Sequence, residues 1–104
     1  MKNAINDAVS ITEKKEQSQL TEPPLYNVVL YNDDYTPMDF VTDVLMKFFF
    51  KSFDEATTIM FQVHKNGKGL CGVFTAEIAE TKVNLVTNYA RQAEHPLLCK
   101  MEKI

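Results

Sequence analysis

Apolar residues follow two different periods along the chain, and the change from one period to the other predicts six elements after residue 22. Short segments at about 26–31, 70–74 and 97–102 are β-branched, aromatic or alternating, which is typical of strands. Longer segments at about 37–49, 53–65 and from 76 to before Pro96 repeat apolar residues every three or four positions, which predicts helices. The helix stripes predicted to face the core are Val41, Val44, Leu45 and Phe48, then Ala56, Ile59, Met60 and Val63, and finally Ala79, Val83, Val86 and Ala90.

Polar and special residues mark the boundaries of the second and third helices. Ser52 and Glu55 form a capping box, in which each side chain bonds the backbone N–H of the other residue. Gly67 predicts the end of the second helix, because glycine readily adopts the left-handed conformation that closes a helix. Thr75 predicts the cap of the third helix, which must end before His95-Pro96.

The order strand, helix, helix, strand, helix, strand predicts an α+β fold. We expect a small two-layer α/β sandwich, in which three helices cover one face of a three-stranded antiparallel sheet in the order βααβαβ. With 104 residues, 45% of them apolar and 7 of them Phe, the chain is long enough for one core. Residues 1–22 are polar and follow no period, so we expect a flexible N-terminal extension before a folded domain at 23–104, with Pro23-Pro24 at the boundary.

Composition and charge exclude several classes of function. The net charge is −3, so no basic surface is large enough to indicate a nucleic-acid partner. No apolar run approaches the roughly 18 residues that span a bilayer, and no signal-peptide core follows Met1-Lys2, so we expect no membrane association and a cytoplasmic protein. Cys71 and Cys99 fall on predicted strands without the spacing of a zinc site, which predicts reduced core thiols, no metal and no cofactor.

The stretch at 31–40 joins the first strand to the first helix through a polar turn. Asn32, Asp33 and Asp34 end the strand, since their short side chains bond nearby backbone and tolerate turn conformations. Thr36 predicts the helix cap, Pro37 the first helical residue and Asp39 a weak capping box. Taken alone, Asn-Asp-Asp could be no more than a polar turn.

Three further features give this turn a context. Met60 and His64 lie one helical turn apart on the second helix, and two long segments follow, GLCGVFTAEIAETKV (69–83) and EHPLLCKME (94–102). Together with the turn, these segments resemble the ClpS family, the adaptors that deliver N-end-rule (N-degron) substrates to the ClpAP chaperone-protease. The resemblance covers roughly residues 23–102 and implies the same fold, which the family shares with the C-terminal domain of the ribosomal stalk protein.

The resemblance implies a site that reads a free protein N-terminus. Such a terminus offers an ammonium with three donors and one side chain, so its reader needs acceptors beside an apolar hole. By resemblance, Asn32, Asp33 and neutral His64 accept from the α-amino group. The resemblance assigns Asp34, Thr36, Met38, Val41, Met60 and Leu97 to the rim and side-chain pocket, and Glu77 and Lys82 to a surface that meets the N-terminal domain of the ClpA chaperone. We expect a monomer.

Each of these residues also has a simpler interpretation. A histidine on a helix is more often solvated than a ligand group, and methionines such as Met38 and Met60 usually fill gaps in a core. Glu77 and Lys82 could be a solvated helix face. Two other functions are possible alternatives. One is a metal-assisted hydrolase built from Asp33, Asp34, His64 and His95, but the motifs contain no Ser or Cys nucleophile with a positioned base. The other is a stalk-like protein interaction domain without N-degron binding.

Overall fold

The computed structural model of the protein describes residues 22–104. Its elements are β1 (Leu25–Tyr31), α1 (Met38–Phe49), α2 (Phe53–Asn66), β2 (Lys68–Thr75), α3 (Ala76–Gln92) and β3 (Leu98–Lys103). The predicted α+β fold and the order βααβαβ are confirmed. The predicted extension at 1–22 lies, except for its last residue, outside the described residues, and the division of the chain at residue 23 stays a prediction.

The three strands form one antiparallel sheet in the order β2-β1-β3. β1 is therefore the central strand, hydrogen-bonded to β2 along one edge and to β3 along the other. The register between β1 and β2 shifts at Val28 and Val29, where the two strands differ by one residue. Because β1 is the central strand, the polar turn that follows Tyr31 leaves the middle of the sheet.

Side chains from the sheet and the helices meet in one core. Val28 and Leu30 of β1 are fully buried there and belong to the same core cluster as residues of all three helices. The predicted helix stripes are confirmed except that Phe48, Ile59 and Val83 are only half-buried and pack against the core. Phe49 is buried in addition and lies near Phe74 of β2, with ring centroids 6.2 Å apart, whereas Phe48 contacts Tyr89 of α3. The end of α1 is thus wedged between β2 and α3.

The helix ends agree with the sequence in α2 and differ from it in α1. Both bonds of the capping box between Ser52 and Glu55 are present, and Gly67 closes α2 in the left-handed conformation with φ 92°. The prediction that Thr36 caps α1 is wrong: Pro37 holds the cap position, and no side chain caps this helix. The Thr36 hydroxyl donates instead to the carboxylate of Asp33, at 2.8 Å, in a charge-assisted hydrogen bond.

The remaining boundaries need only small adjustments. Thr75 precedes α3 as predicted, but its side chain makes no capping hydrogen bond.

Cys71 on β2 and Cys99 on β3 are both buried free thiols. Within residues 22–104, no helix combines the length and the apolar character needed to cross a membrane. No cluster of three His, Cys, Asp or Glu side chains in that same part of the chain is arranged to hold a metal ion.

Candidate functional site

The turn after β1 is held in shape by one carboxylate. Asp33 accepts hydrogen bonds from the backbone N–H of Tyr35 at 2.8 Å, from the backbone N–H of Thr36 at 2.7 Å and from the Thr36 hydroxyl at 2.8 Å. Partial burial raises the pKa of Asp33, but the bonds from Thr36 and Tyr35, with a contribution from nearby His95, outweigh burial and hold the pKa below its usual value. The carboxylate is therefore charged at neutral pH and fixes the turn.

A backbone bond ties this turn to the end of α2. The N–H of Asn32 donates to the carbonyl oxygen of Gly67 at 2.9 Å, so the strand end and the helix end are joined directly. His64 lies in the last turn of α2, three residues before Gly67, and its side chain is exposed. This bond brings Asn32 and His64 to the same place although they lie 32 positions apart in the sequence.

Between these elements lies a cleft of about 220 Å³. Polar residues occupy one part of its lining, namely Asn32, Asp33, Asp34, Thr36 and His64. Apolar residues from α1 and α2 form the other part, namely Met38, Val41, Met60 and Val63. Eight of these nine residues are those that the sequence assigned to the site, and the structure brings them together.

The polar side chains at the mouth differ in how far they are already engaged. Asp33 and Thr36 bond each other, as described above. Within the described residues, no protein hydrogen bond involves the side chain of Asn32 or the ring of His64, and both are exposed. Asn32 and His64 are therefore free to accept from a ligand, while Asp33 contributes negative charge and a fixed backbone.

The apolar wall is pre-formed by core packing. Val41, Met60 and Val63 are at most 8% exposed, whereas Met38, at the first turn of α1, is 40% exposed. The wall therefore consists of a fixed floor and one flexible side chain at the edge. Val63 was assigned to the core stripe alone, yet it lines the cleft as well. Its spacing of three residues from Met60, which places both on one helix face, is the signal that could have indicated this.

Leu97 is the predicted pocket residue that the structure does not bring to the cleft lining. Its side chain is 1% exposed and belongs to the core. Its carbonyl oxygen accepts from the Arg91 guanidinium at 3.1 Å, which fixes the chain between α3 and β3. Leu97 is thus a core residue outside the lining of the cleft.

Glu77 and Lys82 lie on α3, which contributes nothing to the cleft lining. Glu77 is exposed. Lys82 is half-buried: its ammonium donates to the carbonyl oxygen of Phe48 at 2.7 Å and lies 4.9 Å from the ring centroid of Phe50. Lys82 therefore holds the end of α1 against α3, which the sequence did not indicate.

The chemistry of the cleft suits a cation that carries an apolar side chain. Acceptors and a carboxylate surround the mouth, and the interior is apolar and shaped before any ligand arrives. The ammonium of such a ligand would donate hydrogen bonds to the acceptors at the mouth of the cleft. The side chain next to it would be transferred from water to the apolar floor.

Comparison with known proteins gives one family. Residues 21–100 match the family model described as ATP-dependent Clp protease adaptor protein ClpS. The chain is similar to the ATP-dependent Clp protease adapter protein ClpS of Escherichia fergusonii, with 57% identity over 97 residues, 93% of this chain and 92% of the relative. It is equally similar to the protein of that name from Pectobacterium carotovorum subsp. carotovorum, with 57% identity over 94 residues, 90% of this chain and 89% of the relative. Its fold is similar to a solved structure of Agrobacterium tumefaciens ClpS2 bound to L-phenylalaninamide, with a TM-score of 0.77 and 40% identity, covering 79% of this chain and 99% of the other.

Proposed function

The chain belongs to the ClpS family of ATP-dependent Clp protease adaptor proteins, and on that premise we propose how it selects what it delivers. It binds proteins whose N-terminal residue is Leu, Phe, Tyr or Trp, through the free α-amino group and the side chain together. It then delivers them to the ClpAP chaperone-protease, acting in the cytoplasm as a monomer and as an adaptor rather than as an enzyme.

The observation that carries this proposal is the cleft itself, which pairs free acceptors with an apolar floor. The Asn32 side-chain oxygen and a neutral His64 ring accept from the α-ammonium, and the charged Asp33 lies in the same rim. The side chain of the bound N-terminal residue enters the apolar part of the cleft, which is lined by Met38, Val41, Met60 and Val63. A volume of about 220 Å³ is sufficient for one large apolar side chain and little more.

The structural neighbour supports the same reading. L-Phenylalaninamide, which Agrobacterium tumefaciens ClpS2 binds, consists of an α-amino group, one aromatic side chain and an amide. It is the smallest molecule that carries every feature of a protein N-terminus with Phe as the first residue. The stalk-like interaction domain gains no support from the family match or from the relatives described above.

Delivery requires a second surface, and we place it on α3. Glu77 is exposed there, and Lys82, five residues further along the helix, is half-buried. Because α3 contributes nothing to the cleft lining, a chaperone domain bound to α3 would leave the mouth open. The proposed partner is the N-terminal domain of a ClpA-type chaperone.

The decisive experiment compares a peptide with a free N-terminal Leu with the same peptide acetylated at its N-terminus. Acetylation removes the positive charge and two donors but keeps the side chain, so binding should weaken by about a hundredfold. A third peptide with a free N-terminal Ser tests the apolar floor and should also bind weakly. Equal affinity for the free and the acetylated peptide would exclude this proposal and favour a stalk-like module.

A further inference from the structure

An apolar groove adjoins the cleft on the side of α1 and α2. It encloses about 500 Å³ and is lined by Met38, Asp39, Thr42, Asp43, Met46, Phe53, Thr57, Met60 and Phe61. Phe53 is 63% exposed, and Phe61 and Met46 are exposed to 43% and 40%. Three large apolar side chains that face water along one groove indicate a surface that a partner covers.

The groove continues the cleft. Met38 and Met60 belong to the lining of both, so a chain that leaves the cleft over these side chains enters the groove directly. Met38 and Met46 lie at opposite ends of the groove's α1 wall. Eight residues of helix rise by about 12 Å, a distance that an extended chain covers in about four residues.

The charge of the groove selects among possible occupants. Asp39 and Asp43, one helical turn apart, are the charged residues of the lining, and no basic residue lines it. The only salt bridge among the described residues joins Lys68 to Glu102, so neither aspartate is neutralised by one. Asp43 accepts from the Tyr89 hydroxyl at 2.5 Å, which leaves its negative charge in place. An acidic chain would be repelled, and an apolar or basic chain would be favoured.

We propose that this groove is a second substrate site, which binds residues two to five of the chain whose first residue occupies the cleft. It accepts an apolar side chain, Phe or Leu in particular, against Met46, Phe53 and Phe61, and it disfavours Asp or Glu beside Asp39 and Asp43. This proposal rests on the proposed function, because the cleft must hold the first residue. The groove then adds a preference that the first residue alone cannot supply.

The test uses the full-length protein and two sets of ligands. Leucinamide probes the cleft alone. Pentapeptides that start with Leu and carry Ala at the other four positions probe the groove, with a single Phe or a single Asp placed at each position in turn. At the best position Phe should strengthen binding by about fivefold, because part of an aromatic ring leaves water. Asp at the same positions should weaken binding by about threefold at low salt and less at high salt.

Protein variants locate the effect. Phe61→Ala should abolish the gain from Phe and leave leucinamide affinity unchanged, which also shows that the cleft is intact. Leu85→Ala is the matched control, since Leu85 on α3 is 45% exposed but lies outside the groove. It should keep the full gain. Asp39→Asn should reduce the penalty for Asp in the peptide.

The outcomes separate the two proposals. If leucinamide does not bind, the proposed function fails. If leucinamide binds but Phe at positions two to five brings no gain, or if the gain survives Phe61→Ala, the groove is not a substrate site. A gain that appears only after removal of residues 1–22, or only on dilution, would assign the groove to this chain's own N-terminal segment or to a second copy, and would equally overturn the inference.

Discussion

Asn32 joins the two parts of the site at the scale of single residues. Its backbone N–H bonds Gly67, and its side chain remains free at the mouth of the cleft. Substitution by alanine keeps the first bond and removes the second group. The effects of Asn32 on folding and on binding can therefore be separated.

We expect Asn32→Ala to weaken binding of a peptide with N-terminal Leu by roughly 1.5–3 kcal/mol, because a hydrogen bond to a charged group is lost. This corresponds to about a tenfold to hundredfold increase in Kd. Fluorescence anisotropy with a labelled peptide measures the change. Asn84→Ala, at an exposed position of α3, should bind normally. Unchanged affinity in a folded Asn32→Ala protein would remove the central role assigned to this side chain.

The stability of the turn after β1 should depend on pH through the ionisation of Asp33. Its pKa in the folded protein is held below the usual 3.8. By linkage, the ionised carboxylate stabilises the folded turn above the pKa that Asp33 has in the unfolded chain. This stabilisation is lost as the pH falls through the lower pKa of Asp33 in the folded protein. Below that point the hydrogen bonds from Tyr35 and Thr36 lose a charged acceptor, and the rim should loosen.

An NMR titration of the Asp33 carboxyl carbon measures this directly. The midpoint should lie below 3.8 in the parent and should rise in Thr36→Val, which lacks the hydroxyl donor. Thr57→Val is the control, since the Thr57 hydroxyl donates to the Phe53 carbonyl and Thr57 does not line the cleft. A midpoint that is identical in the parent and in Thr36→Val would show that the side-chain bond has no influence on the carboxylate.

Individual side chains also show where sequence reasoning succeeds and where it stops. Asn32 and His64 were assigned by the family resemblance, which rests in part on the polar turn after the first strand and on the one-turn spacing of Met60 and His64. The partner of Thr36 was not found, because a threonine before a helix can bond either the helix or a preceding aspartate, and only the fold of the turn decides. The assignment of Leu97 to the pocket stays a prediction for a similar reason: alternation in the segment 97–102 shows that Leu97 is buried, but not against what.

At the scale of elements, Gly69 marks a close approach of β2 to α2. A Cβ at this position would lie 2.8 Å from Val63 Cγ2 and 3.2 Å from the carbonyl oxygen of Ile59. The second of these atoms belongs to the helix backbone, which cannot rotate away. The strand and the helix can approach this closely only because residue 69 has no side chain.

Gly69→Ala should therefore lower the free energy of unfolding by about 1–3 kcal/mol, as is usual for overpacking. Gly72→Ala on the same strand is the matched control, because a Cβ there would meet only the ring edge of Phe74, at 2.8 Å, and a side chain can move. Urea denaturation of both variants gives the comparison. If Gly72→Ala proves as destabilising as Gly69→Ala, backbone crowding is not the cause.

Element order and type followed from the sequence, because apolar periods of two and of three to four alternate cleanly after residue 22. Details that depend on the contact between elements did not follow. The register shift at Val28 and Val29 has no local signal, and the exchange of Phe48 for Phe49 in the core depends on α1 ending between β2 and α3. The hydrogen bond from the Lys82 ammonium to the Phe48 carbonyl oxygen likewise forms only when α1 and α3 are packed together.

For the whole molecule, binding and delivery should be separable. Within the described part of the chain, every residue that lines the cleft lies at position 32 or later. Removal of residues 1–22 should therefore leave peptide affinity nearly unchanged. We expect delivery to suffer nonetheless, because the family resemblance implies that the unfolding machine engages such an extension while the folded part docks on the chaperone.

Degradation of an N-degron reporter by ClpAP measures delivery. The full chain should support it, a chain starting at Pro23 should support little, and a chain with a scrambled sequence of equal length before Pro23 should support nearly as much as the full chain. All three proteins should bind free peptide alike. Full delivery by the shortened chain would show that the extension is dispensable.

The central position of β1 has a mechanical consequence. A pulling force applied where the chain enters this strand, at Leu25, is resisted by the hydrogen-bond ladders to β2 and β3 at the same time. If both ladders rupture, the strand that ends in the polar turn is extracted, and the bond between Asn32 and Gly67 breaks with it. Mechanical unfolding of the sheet would therefore also disrupt the cleft. Tension on this one strand would release a ligand bound there.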